Sequence, residues 1–94
     1  MNKAELKVKG GKLIKCRIEL EDNNIRSVRY TGDFFLHPEE YIEKLEESLT
    51  GVAASPERVK QIIEDFFKKP EITLIGASPE DFVKVTLTCL EALE

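Results

Sequence analysis

The chain has 94 residues, 34% of them charged and 41% hydrophobic, with a formal net charge of −4 and two cysteines. That length fits a single domain, 1–94, able to build a core but burying only a little over roughly 60% of its unfolded surface. No apolar run approaches the roughly 18 residues of a membrane span, the Met1-Asn2-Lys3-Ala4-Glu5 start lacks a signal peptide's apolar stretch, and Cys16 and Cys89 with one histidine offer neither zinc spacing nor an iron–sulfur ligand set, so the expectation is a soluble cytoplasmic protein with two buried thiols, no membrane association and no metal.

In chain order, Leu6 and Val8 alternate with Glu5, Lys7 and Lys9, and Ile14, Cys16, Ile18 and Leu20 alternate with Lys15, Arg17, Glu19 and Glu21. This is the period-two pattern of strands with one buried face. Gly10-Gly11 between them can supply the positive φ values of a two-residue hairpin turn. Asp22-Asn23-Asn24 then turns the chain into a third strand, Ile25 to Thr31, with Val28 and Tyr30 on one side and Arg29 and Thr31 on the other. A three-stranded antiparallel meander is the simplest outcome.

The next segment, Gly32-Asp33-Phe34-Phe35-Leu36-His37-Pro38-Glu39-Glu40, follows neither a strand period nor a helix period. Burying each of its two rings is worth roughly 1.5–3 kcal/mol, so each needs a packing partner in the protein's own core or on another chain. Three helix starts then share one grammar: His37-Pro38-Glu39-Glu40, Ser55-Pro56-Glu57 and Ser78-Pro79-Glu80-Asp81. Proline suits the first helical position, which needs no amide hydrogen bond, and acids favour the positive end of the dipole. Ser55 and Ser78 are good caps, Ser78 with Asp81 resembles a capping box, and His37 is a weaker cap.

The first helix presents Ile42, Leu45 and Leu49 and is expected to end at Gly51; Val52-Ala53-Ala54, the least constrained piece of the chain, follows as a surface loop. The second presents Val59, Ile62, Ile63, Phe66 and Phe67 at i, i+3, i+4, i+7 and i+8, with Lys68 and Lys69 in its last turn before Pro70. Ile72, Leu74 and Ile75 form a short extended piece. The third helix runs from Pro79 to about Leu93, turning Phe82, Val85, Thr86, Cys89, Leu90 and Leu93 inward. The predicted fold class is α+β: two layers, a three-stranded antiparallel sheet with one optional extra short strand, and three helices on one face.

Charge is unevenly spread. Lys3, Lys7, Lys9, Lys12, Lys15 and Arg17 face only Glu5 within residues 1–17, so the first hairpin is basic and the rest of the chain acidic. Such a hairpin can meet phosphates or an acidic partner, or simply be a solvated face. Nucleic acid is not an expected partner, because the basic residues come without interleaved aromatics in an acidic domain. Catalytic chemistry finds little to use. His37 is the sole imidazole, with no nucleophile motif near it, and Glu39, Glu40, Glu43, Glu46 and Glu47 read as ordinary helix acids facing water. Gly10-Gly11-Lys12 lacks the Walker spacing and a following helix, so as a nucleotide motif it is weak.

Gly10-Gly11-Lys12-Leu13-Ile14, the Gly32 to Pro38 segment, Leu45-Glu46-x-x-Leu49-x-Gly51 and Ile75-Gly76-Ala77-Ser78-Pro79-Glu80-Asp81-Phe82 together resemble, in the right order, the C-terminal accessory domain of lipoate-protein ligases. In that family a large catalytic domain makes lipoyl-adenylate from lipoate and ATP and transfers the lipoyl group to a lysine of a lipoyl domain. The catalytic Arg-Arg-x-x-Gly-Gly-Gly signature is missing here. The resemblance therefore implies an accessory role, closing over or reshaping a partner's active site, with no catalytic residue on this chain. Met1 stands almost at the first strand, whereas the family usually fuses this domain behind the catalytic one; a separate second subunit of a two-chain ligase is implied.

Further implications follow from the resemblance alone. The partner is the catalytic subunit, with lipoyl-domain proteins served indirectly. ATP, Mg and lipoate are used by the complex and none is bound by this chain alone. Gly32, Asp33, Phe34, Phe35, Leu36, His37 and Pro38 match the family's Gly-Asp-Phe-Phe-Leu-x-Pro segment and are the expected partner-facing surface, with Phe34 or Phe35 as anchor. Gly10, Gly11 and Lys12 match its Gly-Gly-Lys turn and are expected near the nucleotide or an acidic surface of the partner. Two other readings stay open: a scaffold or carrier module of sulfur or iron–sulfur assembly, resting on fold analogy, and a plain homodimerising domain.

Overall fold

A computed structural model describes residues 2–7 and 12–91. Eight elements follow one another: β1 (Asn2–Lys7), β2 (Leu13–Glu21), β3 (Asn24–Gly32), β4 (Phe35–His37), α1 (Tyr41–Leu49), α2 (Pro56–Phe67), β5 (Thr73–Ile75) and α3 (Pro79–Glu91). The first three strands form the expected antiparallel meander, in the order β1-β2-β3. The Gly10-Gly11 turn and Leu93 lie outside the described residues.

Asp22 and Asn23 close the second hairpin with φ of 52° and 63°, the left-handed pair that a tight two-residue turn requires and that Asp and Asn tolerate. Further along, Ile18 pairs with Val28 but Leu20 pairs with Ile25, so Arg26 is an extra residue bulged out of the ladder. The bulge lets Ile25 and Val28, three positions apart, point into the same core. Ile14, Cys16, Ile18, Ile25, Val28 and Tyr30 make the sheet's inner face, while Lys15, Arg17 and Arg29 on the other face are exposed.

The helices cover that inner face, giving an α+β fold of two layers. α3 packs against β1 and β2, α1 lies along β3, and α2 completes the layer by packing on α3 and α1. Phe82 is the hub. Its ring meets those of Tyr30, Phe34 and Phe67 at centroid distances of 5.3, 5.0 and 5.2 Å, joining α3 to the sheet, to the segment after β3 and to α2. Polar groups carried inside are paired. Tyr30 Oη donates to Thr86 Oγ1 at 2.6 Å, and Thr86 Oγ1 in turn donates to the Phe82 carbonyl at 2.6 Å. Burial pushes the Tyr30 phenol well above its ordinary pKa.

Helix starts follow the proline grammar in two cases of three. α2 begins at Pro56, and α3 at Pro79, where Ser78 Oγ accepts from the Asp81 N–H at 3.3 Å and Asp81 Oδ2 accepts from the Ser78 N–H at 2.9 Å. Ser55 precedes α2 without making a side-chain cap, and Lys68 and Lys69 lie just beyond its last turn. The third start is misread by the sequence pattern. His37-Pro38 is a cis peptide bond, His37 ends a short strand, and α1 begins only at Tyr41 with Glu40 as its cap. The strand forms because β4 finds β5, in the register Phe35↔Ile75, Leu36↔Leu74 and His37↔Thr73.

Two further expectations are corrected on the outer edge of β3. Val52-Ala53-Ala54 is not a loose loop. α1 ends at Leu49, Gly51 (φ +86°) turns the chain back, and its N–H donates to the Ile25 carbonyl at 2.7 Å while Ile25 N–H donates to the Val52 carbonyl at 2.8 Å. Ala54 N–H adds a bond to the Asn23 carbonyl, 2.9 Å. Glu46 is not an ordinary solvated acid either: it is half-buried, and its Oε2 accepts the Tyr30 N–H at 2.8 Å. Three backbone groups of β3 that face no strand, the N–H and carbonyl of Ile25 and the N–H of Tyr30, are thus met by α1 and the loop after it.

Candidate functional site

The unusual segment after β3 is held by a close backbone approach. Gly32, with φ +147°, sits so near β2 that a Cβ built there would lie 2.1 Å from the Leu13 carbonyl oxygen. Asp33 N–H then donates to that same carbonyl at 2.8 Å. No larger residue fits at 32, and the close approach and the one hydrogen bond together fix where the aromatic pair emerges.

Adjacent on the chain, Phe34 and Phe35 part company. Phe34 is half-buried, edge-on to Phe82, and belongs to the core. Phe35 is 62% exposed. The alternation of β4 accounts for the difference: Leu36 turns inward and is buried, while Phe35 and His37 occupy the outer face. Directly across the ladder from Phe35 stands Ile75, itself 52% exposed. They are the exposed large hydrophobics among the described residues, and they are cross-strand neighbours.

Lys12 joins this corner from the start of β2. A Cβ at Gly76 (φ +92°) would lie 3.3 Å from both Cδ and Nζ of Lys12 and 3.1 Å from the Asp33 carbonyl oxygen. The lysine side chain therefore lies across the bare backbone of Gly76, at the end of β5. Lys12 is exposed and makes no ion pair among the described residues. Two sets of residues that are separate in sequence, Lys12 and Gly32 to Pro38, thus share one end of the molecule, joined through Ile75 and Gly76. Gly10 and Gly11 are outside the described residues.

On the other flank of Phe35 lies an open groove of about 380 Å³, walled by Thr31, Gly32, Phe34, His37, Glu39 and Ile42. Among the described residues His37 makes no side-chain hydrogen bond or ion pair, and Pro38 is half-buried. Among the described residues no group of three His, Cys, Asp or Glu side chains converges as a metal site. Cys16 and Cys89 lie in the core as reduced thiols, Cys89 Sγ donating to the Cys16 carbonyl at 3.5 Å. Contact with the Cys89 thiol, and then burial, push the Cys16 thiol far above its ordinary pKa, which favours the protonated form. Nor is any helix of the described residues long and apolar enough to cross a membrane. What the corner offers is an apolar pair with a cation beside it, a surface suited to binding.

Sequence reasoning missed Ile75, Gly76 and Glu46. Glu46 carried a signal: Ile42, Leu45, Glu46 and Leu49 fall at i, i+3, i+4 and i+7, so the carboxylate stands in the apolar stripe. Ile75 could be found only by knowing that β5 pairs with β4.

Comparison with known proteins gives consistent results. Residues 2–85 match the family described as bacterial lipoate protein ligase C-terminus. A curated relative, lipoate-protein ligase A subunit 2 of Thermoplasma acidophilum, is 41% identical over 72 residues, which span 77% of this chain and 73% of that protein. A chain of the archaeal lipoylation system of Thermoplasma acidophilum, solved as a bi-partite lipoate protein ligase and its E2 lipoyl domain, superposes with a TM-score of 0.80 at 34% identity. That match covers 90% of this chain and 92% of the other.

Proposed function

Because this chain belongs to the bacterial lipoate protein ligase C-terminus family, we propose that it is the small subunit of a two-chain lipoate-protein ligase. The observation that carries the reading is the correspondence of whole chains. Nearly all of this chain superposes on nearly all of a chain from a bi-partite ligase.

In this reading the partner subunit holds the reacting groups. It condenses lipoate with ATP, in the presence of Mg, to lipoyl-AMP with release of pyrophosphate, and passes the lipoyl group to a lysine of a lipoyl domain with release of AMP. The small subunit contributes shape and position. Its buried polar side chains are satisfied internally among the described residues, its thiols are enclosed, and its histidine makes no side-chain hydrogen bond or ion pair among them. The residues left for use are at the corner built by Lys12 and the Gly32 to Pro38 segment, which we assign to contact with the catalytic subunit, with Lys12 toward its acidic surface or the nucleotide. Closure of that kind can limit adenylation by assembling the site rather than by supplying a reacting atom.

The test is lipoyl-AMP formation by the catalytic subunit from the same source, with and without this chain. Adenylation that rises strongly only when the chain is added is the expected result. Equal rates with a correctly folded catalytic subunit would overturn the proposal.

A further inference from the structure

From the outer face of the β4–β5 sheet we infer that Phe35 and Ile75 act together as the apolar anchor that seats this chain on the catalytic subunit, with Lys12 as a charged guide at its edge. The inference rests on the two-chain reading above and adds to it a residue, Ile75, and an element, β5.

The argument starts with what the fold leaves exposed. Every other large apolar side chain among the described residues is buried or half-buried, whereas these two are largely in water and face each other across one ladder. A directly opposed aromatic and β-branched pair presents one continuous apolar surface, already rigid before anything binds it. The support beneath is rigid as well. Leu36 is buried under the pair, and Leu74 packs against the same core. Gly32 and Asp33 fasten the entry to β4 onto β2. Aromatic residues fixed in this way are the usual hot spots of protein interfaces.

The match to one chain of a bi-partite ligase supplies the occupant, the catalytic subunit, in preference to a second copy of this chain. Beyond its first hairpin the chain is acidic, and Lys12, without an ion-pair partner among the described residues, lies over Gly76 beside Ile75. A partner that offers an apolar recess flanked by a carboxylate satisfies both features. Gly76 is favoured there by its φ of +92°, and a Cβ at that position would sit 3.3 Å from the lysine Nζ, so the lysine end would have to shift slightly.

The experiment is calorimetric titration of the catalytic subunit with the full chain and with Phe35→Ala, Ile75→Thr and the double variant, at two salt concentrations, plus Lys12→Gln. Both anchors are exposed, so thermal melting is expected to be unchanged and to show that the variants fold. Each single anchor variant should weaken Kd by roughly thirtyfold, with the double variant falling short of the product because the two side chains fill one recess. Lys12→Gln should reduce the salt dependence of Kd while weakening binding less. If the unaltered chain binds and the anchor variants bind equally well, the anchor is wrong and the two-chain reading stands. If the unaltered chain does not bind the subunit, both fail. Light scattering that shows a homodimer dissociated by Phe35→Ala would assign the face to a second copy and overturn the inference.

Discussion

Phe34 and Phe35 share a side chain and differ by one residue of register, and that single step decides what each can do. Phe34 lies edge-on to Phe82 at 5.0 Å and is half-buried in the core, while Phe35 projects from the outer face of β4. Truncating a core ring removes its transfer energy and leaves a cavity, a combined cost of about 3 kcal/mol at a site of this kind. Phe34→Ala should therefore lower the stability of the isolated chain by about that amount in urea denaturation, whereas Phe35→Ala should change it by less than about 0.5 kcal/mol. A comparable loss for both would mean that Phe35 also packs inward in solution. The aromatic pair was conspicuous in the sequence because it fitted no period, but the sequence offered no way to choose between the rings. The choice depends on Leu36 pairing with Leu74, a contact between residues far apart in the chain.

At the scale of elements, α1 is clasped to β3 by one ionisable group. Glu46 accepts the Tyr30 N–H at 2.8 Å, and burial raises its carboxyl above the ordinary value of 4.5 more than that hydrogen bond lowers it. A group whose pKa is raised on folding contributes stability that is fully present below its unfolded value and is lost as pH climbs through the folded one. The contribution of Glu46 should thus decline from about pH 4.5 upward until the carboxyl is fully ionised. Glu46→Gln keeps an oxygen for the Tyr30 N–H and removes the titration. Urea denaturation of both proteins from about pH 4 to about pH 8 should show the wild type losing stability relative to the variant across that window and running parallel above it. Parallel curves throughout would show that Glu46 is solvated. Elements of this size were largely legible. α2 and α3 were announced by a long apolar period and by Ser-Pro-Glu starts, because their signals are local. The start of α1 was not, since Pro38 serves a turn after β4 instead of a first helical turn, and strands of three residues carry too little pattern to be seen.

The molecule as a whole is a sheet closed on one face by helices, and its two thiols sit at the seam, Cys16 on β2 and Cys89 on α3. Their burial followed from the sequence, because both fall in apolar phases of their elements. The composite corner did not, because it assembles Lys12, Phe35, Ile75 and Gly76 from three separate stretches of chain. The seam also distinguishes the accessory reading from a carrier of sulfur or of an iron–sulfur cluster, whose cysteines must meet solvent to receive their cargo. Cys16 and Cys89 are reachable only when β2 and α3 separate, and since Phe82 ties α3 to Tyr30, Phe34 and Phe67, that separation amounts to unfolding. Labelling with an aromatic disulfide reagent should therefore be slow in the native protein and equal for the two thiols. Its dependence on urea should have the slope of global unfolding. Rapid reaction of either cysteine without denaturant would show that α3 opens on its own, and would favour the carrier over the subunit that holds its core shut.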